Sequence, residues 1–263
     1  MSDTVPDLRM TPIAQLMQGG RWRVESMRSY TRHQLLWFTR GQGRLTVAGI
    51  TRGFGVHNAA FIPAGTMHAF EITAAVYGTA LFFADDPALA LPDAPHHLRI
   101  RESAAQVELT ALLETLQREL DGDRPARARA LRQYLGLLSV WLERQLLVND
   151  DQLAPTDAAR RLAAGYAALV ERDFHTPLSV SDYAAALGVT PTHLTRVCHQ
   201  TCGRTASELL AERKIGEARR LLADTKLPVK DIAVQLGYRS PAYFTRVFQA
   251  RTGRAPLTFR KSG

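Results

Sequence analysis

Cysteine is nearly missing from this chain: its 263 residues hold two, Cys198 and Cys202. Two thiols four residues apart, with no others to join them, make neither a disulfide framework nor a complete thiolate metal site. Long apolar runs are missing too. No stretch approaches the roughly 18 residues that a membrane helix needs, and Met1-Ser-Asp-Thr-Val-Pro-Asp7 lacks the basic start of a signal peptide. A cytoplasmic protein without a membrane partner is therefore expected. There is also no acidic excess. Lys and Arg number 33 against 25 Asp and Glu, for a net charge of +8. That surplus is unevenly placed: residues 156–263 hold 17 basic against 9 acidic side chains, while residues 1–155 hold 16 of each. An asymmetry of this kind is what sequence-independent attraction to phosphate requires. At 46% hydrophobic and 22% charged residues, the chain has the make-up of a globular protein with room for two domains.

What is present is an internal repeat. Asp182-Tyr-Ala-Ala-Ala-Leu-Gly188 is echoed by Asp231-Ile-Ala-Val-Gln-Leu-Gly237, and Leu194-Thr-Arg-Val-Cys-His-Gln-Thr-Cys-Gly-Arg204 by Phe244-Thr-Arg-Val-Phe-Gln-Ala-Arg-Thr-Gly-Arg254. Each copy reads as a helix, a glycine turn and a second helix. Ser179 caps the first helix, whose apolar side is Val180, Tyr183, Ala184 and Leu187, and Gly188 ends it in the left-handed region. Thr190-Pro191 and Ser240-Pro241 place a capping oxygen before a proline at the first helical position, a strong local start signal. Gly203 and Gly253 stop the second helices. Leu194, Val197 and Cys198, with Phe244, Val247 and Phe248 in the other copy, fall at helical spacing and face the core. The alignment of Cys198 with Phe248 marks it as a small core residue. Thr192, Thr195, Arg196 and His199, with Ala242, Thr245, Arg246 and Gln249, are left facing outward. Arg bridges the two acceptors of guanine, Gln the acceptor and donor of adenine, and Thr and Ala offer methyls to thymine. The same residues would also suit an ordinary solvated face.

Residues 178–260 resemble the DNA-binding domain of the AraC/XylS family of bacterial transcription regulators, most specifically in Ser240-Pro-Ala-Tyr-Phe-Thr-Arg-Val-Phe-Gln-Ala-Arg-Thr-Gly-Arg-Ala-Pro-Leu-Thr-Phe-Arg260. The resemblance implies two helix-turn-helix units joined by one long helix. Glu208 to Leu222 supplies it, with Leu209, Ile215, Ala218, Leu221 and Leu222 as its apolar stripe; about 15 residues make a spacer of roughly 22 Å. It further implies promoter DNA and RNA polymerase as partners, a nucleoid location, and pairing of subunits through N-terminal helices.

The N-terminal half has a different texture. Trp22 to Met27, Gln34 to Thr39, Arg44 to Val47, Ala59 to Ile62, Met67 to Ile72 and Tyr77 to Phe83 read as short strands, punctuated at Gly41-Gln-Gly43, Gly53-Phe-Gly55 and Pro63-Ala-Gly65. A small antiparallel barrel or sandwich is expected. Gln34-Leu-Leu-Trp-Phe-Thr-Arg-Gly-Gln-Gly43 and Pro63-Ala-Gly-Thr-Met-His68 resemble the two cupin motifs, as in AraC-type sensor domains. Catalytic cupins hold a metal with three histidines and a glutamate. Here only His33 and His68 correspond, position 31 is Thr, and Gln34 to Gly43 holds no carboxylate, so a metal-free sensor is expected rather than an enzyme. The rival reading is a metal-dependent cupin enzyme fused to a DNA-binding tail. Candidate ligand contacts are His33, Trp37, His68 and Phe70. The aromatic set Trp37 or Phe38, Phe61, Phe70, Tyr77 and Phe82 would serve equally as a pocket wall or a packed core.

Two helices follow. Ser103-Ala-Ala-Gln106 reads as a capping box before the stripe Leu109, Leu112, Leu113, Leu116 and Leu120, and a second helix spans about Pro125 to Val148. The expected architecture is a two-domain α+β chain: a cupin-like antiparallel β-barrel with helices over 1–148, for ligand sensing and dimerisation, a linker at 149–156, and an all-α double helix-turn-helix domain over 157–263. Gln34-Leu-Leu-Trp-Phe and Val180 to Cys198 are similar to the subgroup of activators that respond to 4-hydroxybenzoate and related aromatic acids. That resemblance implies an aromatic carboxylate as effector of a catabolic activator, with Arg23, Arg28 or Arg32 as its charge partner.

Overall fold

Short segments rich in branched and aromatic residues form two antiparallel sheets in the N-terminal half. The strands are β1 (Leu8–Pro12), β2 (His33–Arg40), β3 (Gly43–Val47), β4 (Ile50–Phe54), β5 (Asn58–Ile62), β6 (His68–Ile72), β7 (Tyr77–Phe83) and β8 (His96–Arg99). This computed structural model describes residues 6–72, 75–149, 151, 153–154 and 156–261. One sheet has the order β1-β7-β2-β5-β8 and the other β4-β3-β6. In β2 the side chains of Leu36 and Phe38 enter the core between the two sheets with Leu45, Val47, Phe70 and Phe82. Leu35 and Trp37, pointing the opposite way, pack with two long helices, α2 (Ser103–Asp121) and α3 (Arg127–Val148). Both faces of β2 are therefore covered, which is why its sequence is an apolar run and not an alternation.

Among the described residues no ladder joins the two sheets, so the closed cupin-like barrel expected from the sequence is instead an open two-sheet sandwich. A barrel needs a hydrogen-bonded seam all the way round. The outer edge of β6 is taken by an isolated bridge, with Arg28 N donating to His68 O at 3.0 Å and His68 N to Arg28 O at 2.8 Å. The segment that leads there, read as a strand from Trp22, is the short helix α1 (Trp22–Glu25), which turns Val24 inward. Gly53-Phe-Gly55 is not a turn either, since Gly53 and Phe54 lie within β4. The hairpin closes one step earlier, at Ala48 and Gly49, both with positive φ (47° and 75°), as a two-residue turn of primed type demands. Ser103 is the first residue of α2 and not its cap. Glu102 precedes it without a capping bond, and Gln106 Nε2 donates instead to Ile100 O at 2.9 Å.

The C-terminal helices are α4 (Ala158–Asp173), α5 (Val180–Ala186), α6 (Pro191–Cys202), α7 (Ala206–Asp224), α8 (Val229–Gln235), α9 (Pro241–Thr252) and α10 (Pro256–Lys261). α7 outruns the expected Glu208 to Leu222 because Thr205 and Glu208 form a reciprocal capping box ahead of it. Its Leu209 enters the core of α4, α5 and α6, and its Ile215, Ala218, Leu221 and Leu222 enter the core of α8 and α9. One rigid helix thus belongs to both units. Within the expected linker, Asp150, Gln152 and Pro155 lie outside the described residues. Asp151 is tied down: its carboxylate accepts from His97 N at 3.0 Å and Leu153 N at 2.9 Å and meets His96 Nδ1 at 2.8 Å. No described helix is long and apolar enough to cross a membrane.

Candidate nucleic-acid interface

Both repeat copies build the same start and stop. Thr190 Oγ1 accepts from His193 N at 3.2 Å and Ser240 Oγ from Tyr243 N at 3.4 Å, so α6 and α9 each begin on a capped proline turn. Gly203 and Gly253 end them with φ of 71° and 73°. Ser179 and Asp182 form the capping box that opens α5. These local devices fix the roll of α6 and α9, and that decides which side chains face out.

On α6, Leu194, Val197 and Cys198 are buried; on α9, Phe244 and Phe248 are buried and Val247 is half-buried. Thr192, Arg196 and His199 are exposed, as are Ala242, Arg246 and Gln249, while Thr195 and Thr245 are half-buried beside them. All eight residues singled out from the sequence thus sit on the two outward faces. Arg196 Nη2 donates to His193 Nδ1 at 3.0 Å, and the Arg246 guanidinium lies 5.9 Å from the ring centre of Tyr243. His193 and Tyr243 occupy equivalent positions one turn before each arginine and were missed in the sequence reading. The signal that finds them is the repeat itself, which pairs a planar ring with the arginine in both copies. Tyr243 is 53% exposed, its ring centre 6.2 Å from that of Tyr238. Burial pushes the Cys198 thiol up to about 12 and raises Cys202 as well, so both stay protonated core groups.

The α7 spacer, 19 residues long, spans about 28 Å at 1.5 Å per residue. Successive major-groove segments on one face of a duplex are roughly 34 Å apart. The length of the spacer is of the same order as that repeat.

The four candidate ligand contacts of the N-terminal domain are not brought together. His33 is buried, stacked on Phe61 at 5.7 Å; its Nδ1 accepts from Ala64 N at 3.3 Å, which leaves Nε2–H to donate to Asp85 at 3.2 Å. His68 donates from Nδ1 to Thr66 O at 2.8 Å, and its Nε2 accepts from Gln34 at 3.3 Å. Burial holds it neutral, with a pKa lowered to about 4. Trp37 Nε1 donates to Thr110 at 3.3 Å and lines a cavity of about 660 Å³ between the larger sheet and α2, which His33, His68 and Phe70 do not line. Phe70 is packed between the two sheets.

A helix-turn-helix domain family model matches residues 183–262. The chain is 34% identical over 93 residues to the HTH-type transcriptional activator AarP of Providencia stuartii, covering 35% of this chain and 69% of that protein. The chain belongs to the AraC family of helix-turn-helix transcription regulators. It is also 27% identical over 148 residues to the arabinose operon regulatory protein of Salmonella typhimurium, covering 54% of this chain and 52% of that protein. It thus spans about half the length of the arabinose regulators it matches. Among solved structures it is similar to an apo form of ToxT from Vibrio cholerae, with a TM-score of 0.44 at 13% identity over 98% of this chain and 94% of that one.

Proposed function

We propose that this family member is a ligand-responsive transcription activator that reads two neighbouring DNA boxes with α6 and α9. The observation that carries the reading is the matched pair of outward faces, Thr192, Thr195, Arg196 and His199 on one and Ala242, Thr245, Arg246 and Gln249 on the other, on units joined by a single helix of 19 residues. The net charge of residues 156–263 supports it. In this reading residues 1–148, a cupin-like module opened into two sheets, form the sensor, 149–156 the linker and 157–263 the reader. The effector is a small organic molecule, an aromatic carboxylate by resemblance to the 4-hydroxybenzoate-responsive activators, and no enzymatic step is involved. RNA polymerase is the partner through which an activator acts. A second copy of the chain would pair through α3, whose Leu137 and Leu147 are 53% and 82% exposed. The test is binding of the full chain to duplexes enriched from a random pool, across a salt series. Affinity should fall steeply with salt, and the enriched sequence should be preferred over its scramble by about 10³-fold or more, on the order of other specific readers. Equal affinity for both would refute the reading.

A further inference from the structure

His193 is the third residue of α6, in the turn that Thr190 Oγ1 anchors by accepting from His193 N at 3.2 Å. The N-terminal residues of a recognition helix are the ones that meet base edges. One turn later, Arg196 Nη2 donates to His193 Nδ1 at 3.0 Å. A guanidinium has donors only, so Nδ1 must be the acceptor. A ring that accepts at Nδ1 is neutral and carries its proton on Nε2. The contact therefore fixes the tautomer, with Nε2–H as a donor. Among the described residues nothing accepts from that Nε2, and it is not enclosed. The buried His33 and His68, by contrast, use both ring nitrogens within the protein.

Helical geometry sets the reach of this donor. His193 and Arg196 are separated by about 4.5 Å of rise, a little more than the roughly 3.4 Å between base pairs. With Arg196 across the N7 and O6 of a guanine, the imidazole falls over the neighbouring pair. A lone N–H donor there matches the N7 of either purine and is opposed by the amino donor of cytosine. The equivalent ring in α9, Tyr243, holds no nitrogen; the Arg246 guanidinium lies 5.9 Å from its centre.

We infer that His193 is itself a base-reading residue, whose Nε2–H demands a purine at the base pair beside the guanine read by Arg196, in the first box alone. This rests on the reading of α6 as a DNA reader given above.

The test is an interference assay on the full chain. The duplex enriched from a random pool is remade with each purine of the first box in turn as its 7-deaza form, which lacks the N7 acceptor. The first box is the one in which Arg196→Ala loses discrimination. Two variants separate the two ring nitrogens: His193→Asn keeps a polar atom at the reach of Nδ1 and loses the outer donor, whereas His193→Gln keeps a donor at the reach of Nε2. Wild type and His193→Gln should lose about three- to tenfold in affinity when the purine beside the Arg196 guanine lacks N7. His193→Asn should already be weaker by that factor on the unmodified duplex, lose nothing more on the modified one, and keep its demand for the guanine itself. No sensitive purine beside that guanine, or a His193→Asn chain as sensitive as wild type, would overturn the proposal. Loss of the guanine demand in His193→Asn would also overturn it, since His193 would then only support Arg196. Any of these, with wild type still preferring the enriched duplex to its scramble, sinks the role of His193 alone. A wild type without that preference sinks the regulator reading and this proposal with it.

Discussion

Arg196 and Arg246 hold the same place on α6 and α9, and each is steadied by a ring one turn earlier, His193 in one copy and Tyr243 in the other. A guanidinium steadied in this way loses less side-chain freedom on meeting a base edge. Replacing either arginine by Ala should cost about 1 to 3 kcal/mol on the specific site and relax discrimination at one box. Equal losses on specific and random duplex would make both phosphate contacts. Tyr243→Ala should weaken the Arg246 box more than the Arg196 box in the same assay. Two buried histidines set a pH limit. His68 and His97 both have pKa values lowered to about 4 by burial, and among the described residues His97 Nδ1 is buried without a partner. The unfolded chain therefore binds more protons than the folded one between about pH 4 and 6.5. Stability falls as pH drops through that window, by up to roughly 2 kcal/mol per histidine at pH 5. Urea unfolding at pH 7 and pH 5 checks this, and a pH-independent midpoint would contradict it. His68 was legible as a polar group of the N-terminal domain and His97 was not; the partners Gln34 and Asn58 lie on other strands, whose register no local pattern reveals.

At the scale of elements, the helices were readable because their signals are local. Ser179, Thr190 and Ser240 cap as their sequence context demands, and Gly203 and Gly253 terminate as expected. The sheets were less so. β4 and its Ala48-Gly49 hairpin escaped because Ala at positive φ is not a usual turn signal, and α1 escaped because a single turn of helix carries too few positions to show a period. The barrel failed for a non-local reason, the capture of the β6 edge by Arg28. Gly216 was equally invisible, a small residue inside a helix whose use appears only when Met27 arrives on its face. Glycine to alanine in a free helix is worth about 1 kcal/mol of added stability. In the full chain Gly216→Ala should instead destabilise by about 1 to 3 kcal/mol, because the new methyl has no room against Met27 O. A stabilised variant in denaturant unfolding would mean that this contact is not closed in solution.

For the whole molecule, the basic surplus of the C-terminal half was visible in the sequence, while the intimacy of the two halves was not. Met27, Met67 and Ala69 of the N-terminal half are part of the same core as Tyr166, Tyr183 and Leu194. Residues 156–263 alone should therefore bind DNA with strong salt dependence, yet melt below the full chain, since those contacts are gone. Residues 1–150 should bind no DNA at matched salt. The central claim is that α6 and α9 read two boxes from one rigid frame. The measurement that reaches it most directly is footprinting of the full chain and of Arg196→Ala and Arg246→Ala on the duplex it enriches from a random pool. The account predicts two protected boxes with centres about 10 to 11 base pairs apart, each arginine variant losing discrimination in one box and keeping it in the other. A single protected box, or two variants that weaken both boxes alike, would contradict it.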